Sequence, residues 1–137
     1  MTSTSLTGRC LCGAIQYTVG QPVRELRACH CTDCQKASGA AGSVNAVLPA
    51  SAFQITKGKP KRFDAKAASG RTLHRFFCGD CGSPIYSQRE STPGMVVVRA
   101  GTLDSGEGMK ITAHIWTKSA RPWAYIDLAS EQHPGQP

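Results

Sequence analysis

Seven cysteines in three short clusters constrain this chain more than any other feature of its sequence. The clusters hold two, three and two cysteines in chain order, as Cys10-Leu11-Cys12-Gly13, Cys29-His30-Cys31-Thr32-Asp33-Cys34 and Cys78-Gly79-Asp80-Cys81-Gly82. An odd number of cysteines argues against a disulfide framework, as does an amino terminus rich in Ser and Thr that lacks a secretory pattern. We therefore expect a cytoplasmic protein whose thiols bind metal.

The first and third clusters predict a closed metal site. In Cys-x-x-Cys-Gly the turn brings both sulfurs to one side, and Gly82 permits the positive φ that closes the turn. Cys10 and Cys12 lie two residues apart on an extended backbone, where alternate side chains share a face. We expect Cys10, Cys12, Cys78 and Cys81 to bind one structural zinc ion with four thiolates.

The middle cluster predicts a second zinc ion with an open coordination position. Cys29, Cys31 and Cys34 offer three thiolates, and three protein ligands leave one tetrahedral position for substrate or water, as in catalytic zinc sites. His30 points to the opposite strand face from its neighbours, so we do not assign it as a ligand. Asp33 is better suited to a turn, or to contacting one of the metal-binding residues, than to binding the metal itself. The expected content is two Zn²⁺ per chain.

Three other interpretations of the cysteines stay open from the sequence. All seven could serve structural sites, with His30 or His74 as an eighth ligand. The thiols could be redox-active, although Cys-x-Cys would form a strained disulfide ring and no thioredoxin-like strand and helix is present. Iron could replace zinc in a site of four thiolates.

The rest of the chain predicts a mainly β fold with little helix, because short β-rich runs alternate with Gly, Pro, Ser and Asn. A single domain spanning 1–137 is expected from the length, with 129–137 as a flexible tail. Residues 65–70 are expected to form a loop and 34–38 a short helix. The predicted strands are 14–19, 23–28, 43–48, 53–56, 72–77, 84–87, 95–100 and 111–116.

Charge and hydropathy exclude some function classes. No apolar run approaches the ~20 residues that a membrane helix needs. The formal net charge of +7 counts every cysteine as neutral, so zinc-bound thiolates would remove part of it. The densest basic cluster, at residues 57–62, contains Gly58 and Pro60 and has no aromatic stacking ladder, which argues against a nucleic-acid partner. The sequence indicates no oligomeric state.

The three cysteine motifs, together with Phe77-Cys78-Gly79-Asp80-Cys81-Gly82-Ser83-Pro84 and Gly101-Thr102-Leu103-Asp104, carry a family resemblance. In this order they resemble the glutathione-dependent formaldehyde-activating enzyme (GFA) and centromere protein V family. The resemblance implies several small, coiled antiparallel sheets stapled by zinc. It also implies a structural zinc on Cys10, Cys12, Cys78 and Cys81, and a second zinc on Cys29, Cys31 and Cys34.

The activity that the resemblance implies is a carbon–sulfur lyase reaction, in which a thiol such as glutathione adds to an aldehyde such as formaldehyde. The small-molecule partners would then be a thiol and an aldehyde. The alternative is a zinc-stabilised binding module without turnover, which the centromere-protein branch allows. Asp104 is expected to cap a turn, and Arg71, His74 and Arg75 are expected to be solvated charges of a surface strand.

Overall fold

The computed structural model describes residues 5–67 and 70–137, which fold mainly into short β-strands and so confirm the expected fold class. Within these residues the α-helix is α1, Thr32–Ser38, and single 3₁₀ turns occur at Ala50–Ala52, Ala100–Thr102 and Thr117–Ser119. The strands are β1 (Leu6–Arg9), β2 (Gln16–Val19), β3 (Glu25–Cys29), β4 (Ser43–Pro49), β5 (Phe53–Lys57), β6 (Lys61–Lys66), β7 (Thr72–Phe77), β8 (Pro84–Arg89), β9 (Met95–Arg99), β10 (Lys110–Ile115) and β11 (Glu131–Gln132).

The backbone divides into two compact units. The first unit comprises the residues up to Pro22 together with Val47–Glu107. It contains a three-stranded antiparallel sheet in the order β1-β2-β5. It also contains the antiparallel strands β9, β8, β7 and β6, each paired with the next.

Aromatic side chains fill much of the first unit. Tyr17 is 1% exposed, and its ring lies 5.0 Å from that of Phe53, which in turn lies 4.7 Å from the ring of Tyr86. Phe76 stacks on Tyr86 at 4.3 Å. Because these four residues belong to β2, β5, β8 and β7, the ring contacts join the two sheets of this unit. Ile85, which precedes Tyr86, and Val98, which pairs with Tyr86 across β8 and β9, are both 0% exposed, and each contributes about 1.5–3 kcal/mol through burial.

The second unit comprises Val23–Ala46 and Gly108–Pro137. Its strands follow the order β11-β10-β3-β4. β10 pairs in parallel with both β3 and β11, whereas β3 and β4 are antiparallel. The helix α1 follows directly from the carboxyl end of β3, so the middle cysteine cluster spans the strand end and the first helical turn.

Local chemistry sets both ends of α1. Cys31 is the N-cap, and its Sγ accepts a hydrogen bond of 3.3 Å from the backbone N–H of Cys34. Gly39 closes the helix in the left-handed conformation with φ of 70°, which glycine adopts without a Cβ penalty. The helix begins at Thr32, two residues before the predicted start at residue 34, and its N-cap Cys31 is not among the residue types that usually mark a helix start. No described helix is long and apolar enough to cross a membrane.

Three strands were not predicted from the sequence: β1, β6 and β11. β6 ends at Lys66, inside the loop expected at 65–70, and residues 68–69 of that loop lie outside the described residues. The segment 129–137, for which composition predicts a flexible tail, contains β11 and donates the backbone N–H of His133 to the carbonyl of His114 at 2.9 Å. The backbone of this polar segment is hydrogen-bonded to β10, a tertiary contact that its composition could not predict.

Candidate metal centres

The structure brings the first and third cysteine clusters together. The sulfur atoms of Cys10, Cys12, Cys78 and Cys81, hereafter the cysteine quartet, all lie within 4.8 Å of one another. All four belong to the first compact unit. Cys10 lies just after β1, Cys78 just after β7, and both are 1% exposed.

Two tight turns present these sulfurs. The N–H of Gly13 donates to the carbonyl of Cys10, and the N–H of Gly82 donates to that of Cys78. Both glycines have positive φ, at 79° and 80°, a conformation that L side chains rarely adopt. The first turn joins residues three apart in the chain and the second joins residues four apart, and each places a backbone reversal directly beside a cysteine pair.

The spacing of the quartet fits a tetrahedral metal site. The Sγ of Cys12 lies 3.6 Å from that of Cys10 and 3.8 Å from that of Cys78. Zn–S bonds of about 2.3 Å in a tetrahedron place sulfurs about 3.8 Å apart, whereas a disulfide would require about 2.05 Å. Backbone N–H groups of Ile15 and Asp80 also donate to the sulfurs of Cys10 and Cys78. The donor set therefore suits a metal ion that prefers thiolates.

The proton affinities within the quartet are uneven. A hydrogen bond with the Ser83 hydroxyl, at 3.2 Å, and the Ser83 backbone N–H lower the pKa of Cys81 to about 5. The Ala14 backbone N–H favours the thiolate of Cys12, but desolvation and hydrogen bonds with neighbouring thiols raise its pKa to about 12. Four adjacent thiols therefore cannot all ionise easily by themselves, and a divalent cation would compensate the accumulated negative charge.

The middle cluster forms a second sulfur group. The sulfurs of Cys29, Cys31 and Cys34, hereafter the cysteine trio, lie within 4.8 Å of one another, and no fourth His, Cys, Asp or Glu of the described chain joins them. Cys29 and Cys34 are buried, whereas Cys31 is half-buried. Hydrogen bonds with Cys31 and Cys34, followed by burial, raise the pKa of Cys29. This group could hold a metal ion through three ligands.

Every cysteine of the chain is a free thiol in the structure, and the two sulfur groups could each hold a metal ion. The histidines considered as eighth ligands lie elsewhere. His74 contacts Asp64 through its Nδ1 at 2.7 Å, across the β6–β7 pair. His30 contacts His114, with its Nε2 lying 2.9 Å from His114 Nδ1. Neither is part of a sulfur group.

A buried glutamine connects the trio to the turn after β10. Gln35 follows Cys34 in α1, and its side-chain amide donates to the carbonyl of His30 at 2.8 Å and to that of Ser119 at 2.9 Å. Gln35 is 5% exposed, so these bonds are shielded from water. The amide thereby fixes the turn Thr117–Ser119 against the strand end that carries the trio.

Trp116 lies against the trio, and sequence reasoning did not single it out for this site. Its side chain packs on the cluster formed by Cys29, Cys34 and Ile115. Among the described residues it is the one residue other than glycine with positive φ, at 56°. Bulky side chains rarely occupy this region, and such backbone strain concentrates at functional sites. The ammonium of Lys118 lies 5.0 Å from the centroid of the Trp116 ring.

Other residues that the sequence singled out have structural contacts. Asp104 accepts a hydrogen bond from the Thr7 hydroxyl at 2.6 Å and donates its backbone N–H to the Thr7 carbonyl, so it fastens β1. Asp33 is exposed in the first turn of α1. Arg71 lies just before β7, and Arg75 lies within β7 with His74. None of these belongs to a sulfur group in the described chain.

The fold and the two sulfur groups define a small, mainly β protein with paired candidate metal centres. A family model described as "Glutathione-dependent formaldehyde-activating enzyme" (GFA) matches residues 5–119, which include both sulfur groups. The chain belongs to this family. The matched region ends at Ser119, so the segment 120–137, which contains β11, lies beyond it.

Curated relatives agree with this assignment over part of their length. A Penicillium rubens protein is 31% identical over 86 residues, which cover 60% of this chain and 43% of the relative. An Emericella nidulans protein is 30% identical over 81 residues, covering 59% of this chain and 40% of the relative. Both are provisionally named glutathione-dependent formaldehyde-activating enzymes. The match thus spans less than half of these relatives.

A solved structure shares the fold. The crystal structure of a Rhodobacter sphaeroides protein superposes with a TM-score of 0.61 and 20% sequence identity. The superposition covers 93% of this chain and 99% of the other. At this identity the similarity establishes the fold.

Proposed function

We propose that this protein is a zinc-dependent enzyme of the carbon–sulfur lyase type that adds a thiol to an aldehyde. The family name supports glutathione as the thiol and formaldehyde as the aldehyde, so the product would be S-(hydroxymethyl)glutathione. The single observation that carries the proposal is the trio: three sulfurs close enough to share one metal ion, without a fourth ligand from the described chain. Such a site keeps one coordination position for a substrate.

The reaction needs no oxidant or reductant. The thiol sulfur forms a bond to the formaldehyde carbon, the carbonyl π bond breaks, and the thiol proton ends on the resulting oxygen. Cys29, Cys31 and Cys34 would hold the zinc ion, which would supply an electrophilic centre that favours ionisation of a thiol or polarises a carbonyl. The chain's own contribution is to hold that centre and to enclose it.

The surroundings of the trio support this role. Cys29 and Cys34 are buried beside Ile115, and Trp116 packs over the same cluster, so part of the site is shielded from water. Backbone and side-chain bonds from Cys34 and Gln35 fix the turn in which the three cysteines lie. A preorganised site of this kind lowers the cost of ordering the reacting groups.

The quartet has a different role in this proposal. Four thiolates saturate a tetrahedral zinc ion and leave no position for a substrate, so the quartet would hold a structural zinc. It would join the turn after β1 to the turn after β7. The expected content is therefore two zinc ions per chain, in a protein of the cytoplasm, where thiols stay reduced.

The test is a comparison of the purified chain with its Cys34→Ser variant. Exchange NMR of a glutathione and formaldehyde mixture measures how fast the hydroxymethyl adduct forms, and elemental analysis counts zinc. We expect acceleration by the parent chain and at least a tenfold loss in Cys34→Ser, with circular dichroism unchanged. Full acceleration by Cys34→Ser would remove the trio from the mechanism. Two bound zinc ions without any acceleration would favour the binding module instead.

A further inference from the structure

We propose that Trp116 and Lys118 form the subsite that receives the thiol substrate, and that this substrate is a thiol bearing a carboxylate. This inference rests on the proposed function, because it assigns the subsite to the reaction at the trio. The indole ring would contact the carbon chain of the substrate, and the ammonium would pair with its carboxylate. Both residues lie in the second compact unit, as does the trio.

The position of Trp116 is the first support. Its side chain packs against the cluster of Cys29, Cys34 and Ile115, yet it is only partly buried, so part of it reaches solvent. A molecule bound at the sulfurs would therefore lie close to this side chain. Aromatic rings bury large apolar areas in binding sites at small entropic cost.

The backbone at Trp116 is the second support. Its positive φ of 56° costs about 1–3 kcal/mol for a bulky residue, so the surrounding contacts must hold it. The structure shows those contacts: the Trp116 N–H donates to the carbonyl of Gly135, and the indole N–H donates to Gln136 Oε1 at 3.3 Å. Gln35 holds the end of the same turn through Ser119. The ring orientation is therefore fixed at several points.

The charge of Lys118 is the third support. Its ammonium lies 5.0 Å from the ring centroid, and no carboxylate within residues 5–67 or 70–137 forms an ion pair with it. The side chain is exposed, so a ligand can reach it. An aromatic wall with an adjacent unpaired cation is complementary to a flexible anion whose sulfur must reach the trio. Glutathione, with two carboxylates, has this chemistry.

The experiment measures binding without reaction. S-methylglutathione keeps both carboxylates but cannot add to an aldehyde, because its sulfur is blocked. The chain contains two tryptophans, so the Trp123→Phe variant leaves Trp116 as the fluorescent reporter. Trp123 is 69% exposed, and its replacement is expected to leave the fold unchanged. In this zinc-loaded background, S-methylglutathione should change the Trp116 emission, with an affinity that weakens as salt is raised.

The key variant is Lys118→Gln, and Lys36→Gln is its matched control, since Lys36 is an exposed lysine of the same unit on α1. We expect Lys118→Gln to raise the Kd for S-methylglutathione about three- to fivefold and to flatten its salt dependence, because an exposed ion pair contributes up to ~1 kcal/mol. Lys36→Gln should change neither. In adduct assays, Lys118→Gln should raise the KM for glutathione and leave that for the neutral 2-mercaptoethanol unchanged.

Three outcomes would overturn the subsite: no binding of S-methylglutathione, equal Kd values in Lys118→Gln and its parent, or equal KM changes for glutathione and 2-mercaptoethanol. The last would mean that Lys118 acts on the charge of the trio instead. Failure of the proposed function is separate. If the chain binds S-methylglutathione through Lys118 but never accelerates adduct formation, the subsite stands and the proposed reaction is wrong. If the chain accelerates adduct formation but Lys118→Gln and its parent have equal Kd values, the reaction stands and the subsite is wrong.

Discussion

The imidazole rings of His30 and His114 stack with centroids 5.2 Å apart, and His30 Nε2 lies 2.9 Å from His114 Nδ1. The backbone N–H of Asp127 donates to His114 Nε2 at 3.3 Å, so His114 carries its proton on Nδ1 and donates it to His30. His30 then carries its own proton on Nδ1, which finds no partner in the described chain. The pair is therefore a directional chain of hydrogen bonds between neutral rings.

This pair predicts a pH dependence of stability. Burial lowers the pKa of both His30 and His114 below the ordinary 6.5. The unfolded chain therefore binds more protons than the folded chain as pH falls below 6.5, and the free energy of unfolding should decrease in that range. Each unit of pKa depression corresponds to about 1.4 kcal/mol. His114→Gln should flatten this dependence between pH 5 and 7, measured by urea unfolding at fixed zinc.

Acid also releases zinc from thiolates, so the informative quantity is the difference in slope between two variants measured alike. His133→Gln, which changes a more exposed histidine in the same unit, is the matched control and should retain the parental slope. Identical slopes in His114→Gln and the parent would show that the pair does not control the titration.

Gly8 is expected to tolerate no side chain. A Cβ at Gly8 would overlap the ring of Tyr17, which is 1% exposed and holds Thr102 through a hydroxyl contact of 2.6 Å. Gly8→Ala should therefore lower the free energy of unfolding by about 1–3 kcal/mol, as overpacking does. Gly94→Ala is the control, since no heavy atom lies within 4 Å of its Cβ position. Similar denaturation midpoints for both variants would contradict this account.

The quartet and the trio should respond differently to loss of one sulfur. Cys78 is 1% exposed and belongs to the quartet, so Cys78→Ser should lose one zinc ion and unfold, or lose more than about 3 kcal/mol of stability. Cys34→Ser should also lose one zinc ion but keep a cooperative unfolding transition near that of the parent. Zinc analysis with thermal unfolding checks both, and the reverse order of stabilities would refute a structural quartet.

Gln35 should be sensitive to loss of its amide. Gln35→Leu leaves the carbonyls of His30 and Ser119 without these donors in a buried setting, and should cost about 2 kcal/mol. Gln88→Leu is the comparison, because Gln88 donates to one carbonyl, that of Pro93, at an exposed site where water can replace it. Equal losses of stability in the two variants would mean that burial of the Gln35 bonds adds nothing.

Spacing predicts which sulfurs within one cluster share a strand face or a turn, whereas the approach of the first cluster to the third depends on the tertiary fold. The sequence predicted strands such as β7 because β-branched and aromatic residues recur between turn residues. It missed β6, Lys61–Lys66, because this exposed strand has no apolar alternation and depends on its full-length pairing with β7. Edge strands often carry such charges.

Trp116 shows the other limit of sequence reasoning. A tryptophan suits an ordinary core or strand position, and the sequence analysis assigned Trp116 to the last predicted strand, 111–116. Its left-handed backbone is set by contacts with the 133–136 segment, far along the chain. A residue whose conformation is imposed by tertiary contacts gives no local signal. The same holds for Lys118, whose proximity to the ring follows from the 3₁₀ turn Thr117–Ser119.

The two sulfur groups differ in how much of the polypeptide each encloses. The trio is complete once residue 34 has left the ribosome, whereas the quartet waits for residue 81. If both groups bind zinc as proposed, the trio would take up its ion first during synthesis, because closing its short loop costs little entropy. The distant group can load only after most of the chain has emerged. Zinc would then bind to the trio first and to the quartet last.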